Sequence, residues 1–207
     1  MLAADLRRGY DTTEIENLDM ESNGRMAVNP ELAELFYQAS VDAFIAFRQQ
    51  FPDETVFAFV LSTIDDAIYV NCSINSWESH QRRLAERGYD ESHEDALETK
   101  WCSCEWENEY YGSEFFEAGN RLLNDLYEKS SEAEEFPAFK QSVVDSMIEA
   151  LVRLRKSGAI SNPGDPIEIA MFATIYDSFS AEEVHRRSAK LLNSPELCKT
   201  FLPVIGS

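Results

Sequence analysis

The chain has 207 residues, 44% of them apolar, and sets 38 Asp and Glu against 18 Lys and Arg for a formal net charge of −20. That surplus argues against nucleic acid and anionic membrane surfaces, since both select for Lys and Arg. It fits high solubility, a bound cation, or a basic protein drawn in by long-range attraction. No apolar run reaches the roughly 18 residues of a membrane span. No apolar stretch follows Arg7 and Arg8, as a secretory signal requires. Four Cys without regular spacing read as reduced thiols, so a cytoplasmic location is expected.

Residues 1–28 are polar and acidic, with Asn23-Gly24 as a turn signal, and read as an arm outside a single domain spanning 29–207. Asn29-Pro30 is a strong helix start, an N-cap followed by proline at the first helical position. Leu32, Leu35, Phe36, Ala39, Ala43, Phe44 and Phe47 then recur at helical spacing up to Phe51-Pro52. Val56 to Ile74 reads as a β-hairpin turning at Asp65-Asp66. Both faces of its first strand are apolar, which predicts a central strand covered by helices. Ser76 caps a short helix that runs to Gly88.

The stretch from Tyr89 to Thr99 is acidic and weakly periodic, so a loop or frayed helix is expected. The Trp-rich stretch Lys100–Tyr111 has no clean period and reads as a connection feeding a helix from near Ser113. Phe136-Pro137 opens another helix, with an apolar stripe of Phe139, Val143, Met147, Ile148, Leu151 and Leu154 that stops at Gly158. Asn162-Pro163-Gly164-Asp165 is a turn, and Ile167 to Tyr176 alternates as a strand. A last helix, Ala181 to Leu192, follows a Ser180-x-x-Glu183 capping-box pattern and ends at Asn193-Ser194-Pro195. The fold class is α+β: a small, mainly antiparallel sheet, hairpin plus one later strand, packed by several helices.

No residue pattern spells out a reaction. Cys102 and Cys104 with His93 or His80 are the best zinc candidates, but Cys-x-Cys is tighter than the usual spacing and no two His are paired. No Gly-x-Ser-x-Gly elbow and no glycine-rich phosphate loop is present. Carboxylate pairs such as Asp65/Asp66 read best as solvated faces in so acidic a chain. No cofactor and no metal are therefore expected. A metal- or thiol-dependent enzyme and a structural homo-oligomer subunit stay open as alternatives.

The acidity is concentrated. Residues 86–135 carry 16 Asp and Glu against four Lys and Arg, a net of −12. Trp101, Trp106, Tyr110 and Tyr111 stand among Glu105, Glu107 and Glu109, and Trp and Tyr are typical interface anchors. These seven residues are the candidate partner-binding site. The glutamates are expected to face a basic partner, and the two tryptophans to divide between core and interface.

Several features in this order resemble the bacterial domain-of-unknown-function family numbered 4303. They are Phe57-Ala58-Phe59-Val60-Leu61 followed by Asp65-Asp66; Lys100-Trp101, then Glu105-Trp106; Phe116 with Asn120; and Ile175-Tyr176-Asp177 ahead of Arg187-Ser188-Ala189-Lys190 and Leu192-Asn193. The likeness covers roughly residues 30–195 and leaves the N-terminal arm outside. It implies no enzymatic activity. Members look like proteins encoded near bacterial polymorphic toxins, which implies an immunity role: a non-enzymatic inhibitor of a basic toxin or similar protein. A looser likeness is to the SUKH superfamily of immunity and scaffold proteins, also α+β.

Overall fold

Val56–Ile64 forms strand β1, and eight of its nine residues are buried. A strand buried on both faces has to be covered on both. The computed structural model describes residues 27–130, 134–162, 164 and 167–205. It adds β2 (Val70–Ser76), β3 (Asn108–Tyr111) and β4 (Ala170–Tyr176). The strands lie in the order β3-β2-β1-β4, so β1 is central, as its sequence predicts. The helices are α1 (Pro30–Gln50), α2 (Trp77–Arg87), α3 (Ala96–Trp101), α4 (Glu117–Lys129), α5 (Phe136–Ser157), α6 (Ala181–Leu192) and α7 (Pro195–Ile205). The chain is an α+β fold.

The sheet is mixed. β2 pairs antiparallel with both β1 and β3, whereas β4 runs parallel to β1. The parallel placement follows from α5, whose 22 residues span about 33 Å and return the chain across one sheet face. Two expectations are corrected. The Trp-rich connection contains β3, a fourth strand. β4 starts at Ala170 rather than Ile167; just before it, the Ile169 carbonyl accepts from Arg155 Nη2 at 2.5 Å.

One face of β1 sends Phe59 and Leu61 into a core with Phe36, Phe44 and Phe47 of α1 and Met147 and Leu151 of α5. The other face packs Val60 with Trp101, Trp106, Phe172 and Phe201. Phe57 joins Ala58 on this second side because the β1–β2 register slips between Val56 and Ala58. Such a bulge re-aims one side chain without ending the strand. α4 approaches α1 closely at Gly119, where an added Cβ would stand 2.9 Å from Phe36 Cε1.

Some helix ends follow local chemistry, whereas α3, α4 and α5 start without a side-chain cap. Asn29 Oδ1 accepts from the Glu31 and Leu32 N–H groups at 3.0 and 3.2 Å. Ser76 and Ser79 form a reciprocal capping box, and Gly88 closes α2 in the left-handed conformation. The Ser180 pattern does not operate: its hydroxyl lies 2.9 Å from Ser178 Oγ and caps nothing. Ser194-Pro195 starts α7 rather than only ending α6, with Ser194 Oγ accepting from Leu197 N at 3.2 Å. Residues 1–26 of the expected arm lie outside the described residues, as do Pro163 and Asp165 of the expected turn. Residues 27 and 29 are fastened to α5, Ala27 N donating to Asp145 Oδ2 at 2.7 Å and Asn29 N to Ser146 Oγ at 2.9 Å.

Three asparagines complete the backbone pairing of three strands. Asn162 Nδ2 donates to the Val56 carbonyl at 2.7 Å, and its Oδ1 accepts from the Val56 N–H at 3.1 Å. Asn120 does the same to Val70 at 3.1 and 2.7 Å. Asn193 does so to Met171 at 2.7 and 2.8 Å. A primary amide offers one donor and one acceptor in a plane, as a neighbouring strand would. Asn162 is buried, so Asn162→Ala orphans a buried N–H and a buried C=O. It is expected to lower stability by about 2–4 kcal/mol in urea unfolding. Asn124→Ala, on the exposed side of α4, should change it by about 0.5 kcal/mol or less.

α7 is held at its far end by His185, whose Nδ1 lies 2.7 Å from the Ile205 carbonyl and whose Nε2 lies 2.6 Å from Thr174 Oγ1. Burial holds this imidazole's pKa below its ordinary value, against smaller opposing effects of the Ile205 carbonyl and Glu182. The unfolded chain, titrating near pH 6.5, therefore takes up a proton that the folded chain resists. The contribution is present above about pH 6.5 and is lost as the pH falls below it. Wild-type stability should decline between about pH 7 and pH 5.5, and His185→Gln should make that decline shallower. Equal slopes for the two proteins would remove His185 from the explanation.

Candidate functional site at the Trp-rich corner

The corner is built on the polar side chains of β2. Asn75 Nδ2 donates to the Lys100 carbonyl at 3.2 Å, and Ser73 Oγ accepts from the Tyr110 N–H at 3.3 Å. The same Lys100 carbonyl accepts from Trp106 Nε1 at 3.1 Å. The Lys100 ammonium lies 4.1 Å from the centre of the Trp77 ring, a cation–π contact at the edge of the second core. The Trp101 ring meets Phe57 edge-on at 5.3 Å and lies tilted against Phe201 at 5.4 Å.

The structure separates the seven candidate residues. Trp101 and Trp106 are each only 4% exposed, so both belong to the core and neither divides toward an interface. The physical reason is β1, whose second face needs large apolar cover. Glu105 is ion-paired with Arg87, and its backbone carbonyl accepts from Arg83 Nε at 3.1 Å. Glu107 shares the Arg82 guanidinium with the buried Glu54, at 2.9 and 2.6 Å. Tyr111 packs edge-on against Phe47 at 5.2 Å and donates its hydroxyl to Gln50 Oε1 at 2.8 Å. Glu109 and Tyr110 are left as the outward pair, with Tyr110 37% exposed.

Tyr110 lies between two more tyrosines, with ring centres 6.5 Å from Tyr69 and 6.3 Å from Tyr176, both edge-on. Tyr176 Oη lies 2.7 Å from Ser103 Oγ. Among the described residues, Ala67, Tyr110 and Asp177 have left-handed backbones without being glycine, with φ of 52°, 54° and 55°. Each is a member of the tyrosine trio or lies within two residues of one. Strained backbone gathered at one place is a feature of functional sites.

The local potential is negative. Desolvation, then the charges of Glu105, Glu109 and Glu98, raise the Cys104 thiol above its ordinary pKa. Desolvation and the nearby Glu105 raise the Glu109 carboxyl. Burial, with smaller effects of Cys104, Glu98 and Glu105, pushes Cys102 up to about 11. These thiols are thus the reverse of activated nucleophiles, whose pKa is lowered. Among the described residues, no group of three or more His, Cys, Asp or Glu side chains could hold a metal ion. No helix among them is long and apolar enough to cross a membrane.

A second polar cluster escapes the sequence reading. Asp145 sits within the apolar stripe of α5, its side chain 2% exposed and 2.6 Å from Arg187 of α6. Gln141 Nε2 donates to it at 2.8 Å. Beside it, Lys140 pairs with Asp65 and donates to Ser178 Oγ at 3.1 Å. A crevice of about 180 Å³ opens here, with Val144, Ile175 and Val184 among its lining. The signal available in the sequence is the carboxylate in Val143-Val144-Asp145-Ser146-Met147, where helical spacing predicts burial and so demands a cation.

The class defined by these features is an α+β domain with helices over both faces of a mixed four-stranded sheet and an aromatic, acidic corner at β3. A family model described as Domain of unknown function (DUF4303) matches residues 36–194. The chain belongs to that family. No curated protein and no solved structure matches it.

Burial of both corner tryptophans has a direct optical consequence. In a Trp77→Phe variant the remaining emission comes from Trp101 and Trp106. It should be blue-shifted from that of free indole and weakly quenched by iodide, and unfolding in urea should abolish both properties. Emission at the free-indole position in the native protein would contradict the packing described.

Proposed function

We propose that this chain is a non-enzymatic acidic binding protein, an immunity-type inhibitor of a basic toxin or a similar bacterial protein. The observation that carries the reading is Tyr110: an exposed aromatic beside Glu109, in a negative local field, on a strained and braced backbone. An aromatic anchor surrounded by like charge recognises a basic surface by steering first and packing second. The net charge of −20 supports the same partner. Trp101 and Trp106 act in this reading as the support under the anchor, and Glu105 and Glu107 contribute charge already shared with arginines of α2. Tyr111 contributes at the margin. Free thiols throughout the described chain suit the reducing cytoplasm.

The test is co-purification with the product of the adjacent gene, followed by titration calorimetry over a salt series. Binding should weaken steadily with salt. Tyr110→Ala should reduce affinity by about 10–100-fold, with a stability loss of about 1–2 kcal/mol from its two ring contacts and the fold retained by circular dichroism. Glu109→Gln should act mainly on the association rate. Failure of a basic neighbour to bind, or binding indifferent to salt and to Tyr110, would count decisively against the proposal.

A further inference from the structure

The acidity of the chain disappears along α6. Between Ser178 and Leu192 there are two carboxylates, Glu182 and Glu183, against three cations, Arg186, Arg187 and Lys190. Two copies of a molecule with a charge of −20 repel over most of their surface, so a face without negative excess is where they can approach. Arg187 is already committed to Asp145. The others project outward, and Phe179 beside them is fully exposed.

The order of the outward groups is informative. Phe179, Glu183, Arg186 and Lys190 follow one another at intervals of four, three and four, so they form one stripe of the helix surface. A turn continues the helix back across Phe179, since Ala181 N donates to the Ser178 carbonyl at 3.1 Å. All four side chains line one open groove of about 430 Å³. Reversing the direction of this stripe matches unlike groups. With α6 laid antiparallel on a second α6, centred between Val184 and His185, Glu183 meets Arg186 of the second copy. Phe179 meets Lys190 of the second copy, and both contacts repeat in the opposite sense.

We propose that α6 is a self-complementary contact through which two copies of this chain pair about a two-fold axis. Such an isologous contact uses each residue twice. It makes two ion pairs between Glu183 and Arg186 and two cation–π contacts between Lys190 and Phe179. Arg186 already holds Glu182 one turn back on its own helix, and its guanidinium has donors to spare for a second carboxylate. The contact uses none of the residues on which the Tyr110 reading rests, although Phe179 follows Tyr176, a neighbour of Tyr110, by three residues.

Sedimentation velocity over a concentration series tests the pairing. Wild type should show a monomer–dimer equilibrium with a Kd on the order of micromolar to tens of micromolar, as for a small interface. Glu183→Arg and Arg186→Glu should each weaken it at least tenfold, because each sets like charges opposite one another. Phe179→Ser should weaken it as well. Mixing the two charge variants should restore dimers, since the two cations of one stripe then face the two carboxylates of the other. The double swap in one chain should restore the homodimer. All these positions are exposed, so circular dichroism should be unchanged. A wild type that stays monomeric at every concentration, or a dimer that survives the single swaps, overturns the proposal.

Discussion

The burial of β1 on both faces is the constraint from which most of this structure follows. A central strand carrying Phe57, Phe59, Val60 and Leu61 leaves no face for water, so the chain must supply two helical layers. α1 and α5 form one of them. The other is assembled from shorter pieces: α2, α3, the corner loop and α7. Because those pieces are short, cover for the second face depends on large single side chains, and Trp101, Trp106 and Phe201 provide it. The tryptophans are therefore part of the cost of a two-faced strand rather than a surface device. A strand enclosed in this way also cannot leave its terminal backbone groups to solvent. Asn162 meets that need at the start of β1, as Asn120 and Asn193 do for β2 and β4.

The same constraint narrows where recognition can occur. β2 is buried along its length, yet Asn71, Ser73 and Asn75 on its second face are polar. Two of them bind the backbone of the corner, so the polar face of β2 anchors an otherwise irregular loop. Arginines of α2 then fix Glu105 and Glu107, which lowers the charge available to a partner without removing it. Exposed pairs of this kind add little stability individually, but together they fix the direction in which the loop leaves the sheet. What remains free is small: one tyrosine, one half-buried glutamate and the tyrosines that brace them.

Legibility in the sequence tracks how local each determinant is. α1 is legible from its Asn29 cap and apolar stripe, and α5 from Pro137, its stripe and the closing Gly158, all of them local signals. The hairpin is legible because alternation and a turn adjoin. β3 is not, since Asn108-Glu109-Tyr110-Tyr111 has no alternation and exists only by pairing with β2, more than thirty residues earlier. The direction of β4 is set by the crossover through α5, which no window of residues near β4 contains. Trp beside Glu reads alike in a core and at an interface until α2 is known to present Arg82, Arg83 and Arg87. Several residues that carry the family resemblance turn out to have structural duties: Asn120 and Asn193 bind strand backbones, Ser188 accepts from Ala173 N at 3.0 Å, and Arg187 neutralises Asp145.

The two margins of the sheet are closed by different means, with a consequence for the protein at high concentration. Along β4, Asn193 and Ser188 take the N–H groups of Met171 and Ala173 that would otherwise face outward. β3 is only four residues long, its register with β2 is irregular, and Tyr110 turns its backbone left-handed. Neither margin offers a straight row of free backbone groups to a strand from another molecule. A sheet with so apolar a centre is in this way protected from growing by edge addition into fibrillar aggregates, even where its surface charge is screened by salt.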